Sequence, residues 1–350
     1  MKINIKNIKV KSICATLFIS LFLSCNSGVI EELEKKKTFA DSLVKIGHGF
    51  QEIFGSFGNA FGFTAVKSTD NRSIVGDYFE KIKKGLADTK GKLDALAKDI
   101  SSVPHADTTE VKAVISSSIE VIIKMIDSVT KIAGVTKENT SIDVNHSSKP
   151  AGANPDSVKT VIAGVKDIIE TAKGSGVQIE PGSDNGTPVT NDDGAKAPAA
   201  LVGKNSIQAG ANAGHALADE VAKADPWAMI NKIKDSTKTG TALTSNTDND
   251  AGQLATGTDS GTTAGAKSTA DLASAAALKA MTNKGQFSAN SANEEVKVIK
   301  GAAASAVNKV LGVLDLIIRK TVVKNLEKLR EAVEKIQYSE TTGEVTEGKN

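Results

Sequence analysis

Near the C-terminus, Leu311, Leu314, Ile318, Val322, Leu326, Leu329, Val333 and Ile336 follow one another at gaps of three or four residues. Apolar side chains at an average spacing of about 3.6 lie on one face of an α-helix, whereas a half-buried strand would alternate them. A stripe of this length needs an equally long apolar surface to cover it, which commits the chain to packing further helices along it. The spacing does not hold a strict heptad, so the stripe reads as an intramolecular core face rather than an intermolecular coiled coil. The predicted helix runs from about residue 292 to 337, with Ser291 and Glu294 as a capping box and Gly343 in the polar tail 338–350 beyond its end.

The same period recurs upstream. Phe50, Phe54, Phe57 and Phe61 share a helical face in a helix that begins near Ile30. The glycines at 47, 49, 55, 58 and 62 make that segment a poor helix for lying on a membrane surface, so its phenylalanines are expected in the core. A second helix carries Val75, Phe79, Ile82, Leu86, Leu93 and Ile100 and stops before Pro104. Asp107 and Glu110 form a capping box for a third, with Val111, Val114, Ile115, Ile119, Ile122, Ile126 and Val129 inward. Asn154 as cap and Pro155 as first helical residue open a fourth, which Gly174 can end.

An alanine-rich helical stretch then reaches Lys223, Asp225-Pro226 starts "WAMINKIKDS", and "ADLASAAALKAMTNKGQF" forms a short helix. Between these lie polar segments 136–152, 174–198 and 236–268, poor in large apolar residues and expected on the surface. Only 4% of the chain is aromatic, so alanine, valine, isoleucine and leucine must fill the core. The fold expected is all-α: an elongated helical bundle forming a single domain over residues 30–337, with its long loops exposed.

The first residues set the location. Lys2, Lys6, Lys9 and Lys11 precede the apolar run "ICATLFISLFL", then Ser24 and Cys25. That order is a secretory signal, 1–24, and its apolar run is too short for the ~20 residues a membrane-spanning helix requires. The ending resembles a bacterial lipoprotein signal, with Phe22 three residues before the cysteine, where a branched aliphatic is usual, and Leu21 one step further out. The resemblance implies cleavage before Cys25, followed by N-acylation and S-diacylglycerol attachment at that residue. Three acyl chains anchor a protein durably where one does not. Residues 25–29 become an acylated spacer, and Cys25 is then the sole cysteine, so neither an internal disulfide nor a cysteine-based metal site can form. Removing the four leader lysines turns the formal net charge from +2 to −2. No clustered basic face of the kind nucleic acid requires is visible.

A search for chemistry finds no catalytic, cofactor-binding or metal-binding set. His48, His105, His146 and His215 stand far apart and in no ligand pattern. There is no phosphate-binding loop, no nucleophile elbow, and "TDND" at 247–250 lacks the glycine and distal glutamate of a calcium loop. Trp227, at a helix start, is expected to pack in the core. The chain is not read as an enzyme, and no cofactor is expected.

Four long stretches carry a family likeness: "ELEKKKTFADSLVKIGHGFQEIFGSFGNAFGF", "ADPWAMINKIKDS", "AAALKAMTNKGQF" and "SAVNKVLGVLDLIIRKTVVKNLEKLREAVEKIQYSE". With the lipoprotein signal, they resemble the variable large proteins of relapsing-fever Borrelia, relatives of the Vls surface lipoprotein of Lyme-disease Borrelia. Residues 270–287 resemble the antibody-recognised invariable segment of the Lyme relative and depart from it at Lys279 and Asn283.

The resemblance implies a surface antigen on the outer membrane, held to lipid through Cys25, expressed one variant at a time and exchanged to evade host antibodies. An adhesin or host-ligand binder is the alternative, since exposed loops on a helical scaffold support that too. Because Cys25 precedes the first helix by only a few residues, the N- and C-terminal helices are expected near the membrane and the loops farther out. The sequence names neither a host receptor nor an oligomeric state.

Overall fold

The computed structural model describes residues 30–339 apart from 61, 63, 206, 241, 244, 258–263, 292 and 293. Cys25, the leader, Gly343 and the tail beyond Ser339 lie outside the described residues. In chain order the elements are α1 (Ile30–Ala60), α2 (Ser73–Ser101), α3 (Thr109–Val135), β1 (Asp143–Asn145), α4 (Pro155–Gly174) and α5 (Ala199–Val202). They continue with α6 (Ala213–Lys223), α7 (Pro226–Asp235), α8 (Ala251–Thr256), α9 (Thr269–Met281), β2 (Gln286–Ser288) and α10 (Glu294–Val333). The only strands among the described residues are β1 and β2, so the all-α expectation holds.

Local chemistry sets the helix starts. The Asn154 side chain accepts from Ser157 N with Pro155 at the first helical position, and Asp225 accepts from Trp227 N and Ala228 N ahead of α7. Asp107 accepts from Thr109 N (2.9 Å) at the start of α3. The reciprocal arm of the expected box is absent there: Glu110 pairs with Lys335 (3.3 Å) instead. At α10 the acid that reaches back is Glu295, which accepts from Asn290 N (2.8 Å), while Glu294 pairs with Lys297.

The chain divides into two compact units, among which α2, α3 and α10 each apportion their residues. The first comprises Met1–Phe61, Lys84–Ile123 and Thr321–Asn350. Its α1 buries Phe39, Leu43, Ile46, Phe50, Ile53 and Phe57, the inward positions of successive turns. Phe54 is only half-buried, because Ile53 takes the inward position in that turn; Phe61 lies outside the described residues. From α10, Val322, Leu326, Leu329 and Val333 are buried in the same unit. The terminal segments meet where Phe39 packs edge-on against Tyr338, ring centroids 5.6 Å apart.

The second unit comprises Gly62–Lys83 and Lys124–Lys320. Its centre is α9, in which every residue from Ala270 to Met281 is buried. Helices α8, α7, α6 and α4 pack against it. β1 and β2 pair in parallel, Val144 opposite Phe287. The apolar face of α10 buries Ile299, Val307, Leu311, Leu314 and Ile318 here. By length and composition α10 could cross a membrane, but 67% of its apolar window is buried inside the protein, which makes it a core helix.

Two expectations are corrected. Segment 236–268 is not wholly a surface loop: Leu243, Ala251, Leu254, Ala255 and Ala266 are fully buried. Small residues pack there by close backbone approach. A Cβ on Gly265 would stand 1.9 Å from the Asn246 carbonyl oxygen, a contact no side chain permits. Trp227 is half-buried rather than in the core, because it sits at the first turn of α7, whose buried residues are Ala228, Met229, Ile230 and Ile233.

Candidate functional site

Cys25, the only site residue the sequence singles out, lies outside the described residues. Among the described residues no three histidine, cysteine, aspartate or glutamate side chains converge to hold a metal ion. His48, His146 and His215 are exposed, and His105 is half-buried beside the Tyr338 ring. What the second unit does offer is a division between exposed loop tips and a sealed interior.

Each tip is fixed at its base. In 136–152, the β1–β2 pairing buries Ile142 and Val144 and leaves residues 146–148 exposed. The Asn145 carboxamide closes this turn, accepting from Ser147 N and Ser148 N (both 3.0 Å). In 174–198, residues 185–188 are exposed, while Asn231 Nδ2 donates to the carbonyls of Glu180 (2.9 Å) and Pro181 (3.1 Å). Val189 and Ala266 exchange backbone hydrogen bonds, so this loop and 236–268 brace each other. Asn249 Nδ2 donates to the carbonyls of Ser245 and Gly265, both at 2.6 Å.

A half-buried lysine ties the second loop to the interior. Lys232 Nζ lies 3.1 Å from both Asp184 and Asp271. Burial pushes the Asp271 carboxyl up against the pull of Ser268 and Lys232. Burial opposes the charge on Lys232, yet the two aspartates hold its affinity for a proton above the ordinary value. Ser268 Oγ donates to Asp271 Oδ2 (2.7 Å) and accepts from Asp271 N (3.1 Å), so it caps α9 and is not poised as a nucleophile.

The segment that resembles an antibody-recognised stretch is hidden. Every residue of α9 from Ala270 to Met281 is buried, as is Phe287 on β2. Lys279 is fully buried, its Nζ donating to the Leu201 carbonyl (2.5 Å). Desolvation, reinforced by the nearby Arg72 charge, pulls its pKa down to about 7. Arg72 is itself buried and donates to the carbonyls of Ala280 (3.1 Å) and Gly285 (2.5 Å) and to Thr140 Oγ1 (3.0 Å). Sequence reasoning missed this clasp. One signal was available: among 43 basic residues only Arg72, Arg319 and Arg330 are arginine, and a forked donor is what several fixed carbonyls require.

Comparison with known proteins follows the same lines. The sequence model of the Borrelia lipoprotein family matches residues 50–333. Variable large protein 12 of Borrelia hermsii is 53% identical over 347 residues, which cover 97% of this chain and 96% of that relative. Variable large protein 14 of the same organism is 48% identical, with 95% of each chain covered. Among solved structures, the Lyme disease variable surface antigen VlsE of Borrelia burgdorferi matches with a TM-score of 0.64 at 24% identity, over 83% of this chain and 97% of its own; that is a likeness of fold.

Proposed function

Since the chain belongs to the Borrelia lipoprotein family, we propose that it is a variable surface antigen held to the outer membrane by acyl chains on Cys25. Its work is to be seen by host antibodies and to be replaced, one variant at a time, by a relative they do not recognise. One observation carries the reading: exposed loop tips stand on a sealed helical interior, in a chain whose whole length is similar to Variable large protein 12. Tips that bury nothing can change sequence without cost to the fold, while the interior keeps every variant the same shape.

The anchor follows from chain counting. Ile30 opens α1 five residues after Cys25, a span of at most about 18 Å even when fully extended. The start of the first unit is therefore held close to the lipid. Replacing Cys25 by alanine should abolish palmitate incorporation, and protease added to intact cells should remove the wild-type protein. Labelled palmitate on the Cys25→Ala chain would overturn the anchor. A wild-type chain untouched by protease on intact cells would overturn surface display.

A further inference from the structure

The second unit carries an open groove of about 680 Å³ between α4 and the end of α7 with the segment that follows it. Five lysines line it: Lys159, Lys166 and Lys173 on α4, with Lys234 and Lys238 opposite. Two carboxylates, Glu170 and Asp235, stand against them. Lys166 lies 3.9 Å from Glu170 and Lys234 lies 2.5 Å from Asp235. Among the described residues Lys159, Lys173 and Lys238 make no ion pair.

The shape is built rather than incidental. The α4 lysines recur every seven residues, so they form one row about 21 Å long with steps of about 10 Å. Ala163 lies between the first two and keeps the floor low. The facing wall is pinned to α8: Gly252 N donates to Ser236 Oγ (3.2 Å), Thr237 N to Asp250 Oδ2 (3.3 Å) and Gly240 N to Thr256 Oγ1 (2.8 Å). Thr237 and Thr239 add hydroxyls to that wall.

We propose that this groove binds a linear sulfated polysaccharide, its sulfates spaced along the row of Lys159, Lys166 and Lys173. A row of compact ammonium charges with hydroxyls beside it suits sulfates on an extended chain. Nucleic acid fits less well, since no aromatic or arginine side chain lines the groove to stack a base. Each exposed lysine contributes little alone, and affinity comes from simultaneous engagement along the row, so binding weakens steeply with salt. The choice of an extracellular polysaccharide rests on the surface display proposed above, whereas the groove's preference for sulfate is read on purified protein and stands or falls separately.

The test measures binding of the unlipidated full-length mature chain to dextran sulfate, with neutral dextran of equal length as control. The wild-type chain should bind only the sulfated polymer. The triple change Lys159→Gln, Lys166→Gln and Lys173→Gln should weaken binding at least about tenfold, while the equal charge change Lys98→Gln, Lys112→Gln and Lys324→Gln should alter it less than about twofold. Ala163→Glu, which sets a carboxylate in the groove and leaves every lysine in place, should weaken binding as well and decides the matter if the triple variant fails to fold. Equal loss in both triple variants, wild-type binding no better to dextran sulfate than to dextran, undiminished binding by Ala163→Glu, or equal affinity for a single-stranded oligothymidylate would overturn the proposal.

Discussion

Arg72 and Lys279 lie deep in the second unit, and neither is a core residue by type. Arg72 satisfies carbonyls 208 and 213 residues away and a hydroxyl 68 residues away, so nothing in its local sequence reports its partners. The caps at Asn154 and Asp225 were legible because each bonds within three residues of itself. Arg72→Lys loses the fork and leaves buried acceptors unpaired, and should lower stability by about 2 kcal/mol or more in denaturant melts. Lys279 has a folded pKa of about 7 against an ordinary 10.5. Between those values the unfolded chain binds the extra proton, so stability rises with pH across that window and lies flat at its lower level below it. The gain by pH 10 is on the order of 4 kcal/mol from this group. Lys279→Met should remove that rise in melts run from pH 7 to pH 10, and a wild-type profile already flat there would contradict the burial.

The elements were legible wherever large apolar residues repeat. The stripes of α2, α4 and α10 point inward as their spacing required, with Leu314 and Ile318 among the buried residues, whereas on α3 Val114, Ile119 and Ile126 are only half-buried and Met125 takes an inward place. Reading fails where burial is carried by small side chains: α8, "AGQLAT", holds one large apolar residue yet is buried throughout, since glycine, alanine and threonine let backbones approach. Phe54 shows the complementary error, a large apolar residue at the edge of a stripe whose inward place belongs to Ile53. Exchanging exposed residues 185–188 for another polar tetrapeptide should leave the melting temperature within a degree or so, as surface changes usually do. Replacing 251–256 with glycine and serine should lower it sharply, and Leu314→Ala should cost about 2–5 kcal/mol. Equal tolerance of the two exchanges would mean that α8 is not part of the core.

For the molecule as a whole, the proposed function divides the labour between a buried helical interior and a lipid anchor. α10 has the length and apolarity of a membrane span, but 67% of its apolar window is buried inside the protein, and the proposed reading gives membrane attachment to the acyl chains on Cys25. In detergent phase separation the Cys25→Ala chain should move to the aqueous phase; retention with detergent would mean that α10 or another segment also binds lipid. The family likeness and the helical class were readable from long stretches of sequence, whereas the seclusion of 270–281 was not, because burial of an alanine-rich helix depends on the four helices packed around it. On the proposed function, antibodies meet the loop tips and not the interior. The direct measurement takes antibodies raised against intact cells and compares their binding to the folded wild-type chain with binding to folded chains exchanged at 146–148 and 185–188. The exchanges should remove much of the binding while melting temperatures hold. Undiminished binding by the exchanged chains, with the antibodies mapping instead to α9 or to the buried face of α10, would contradict the proposed function.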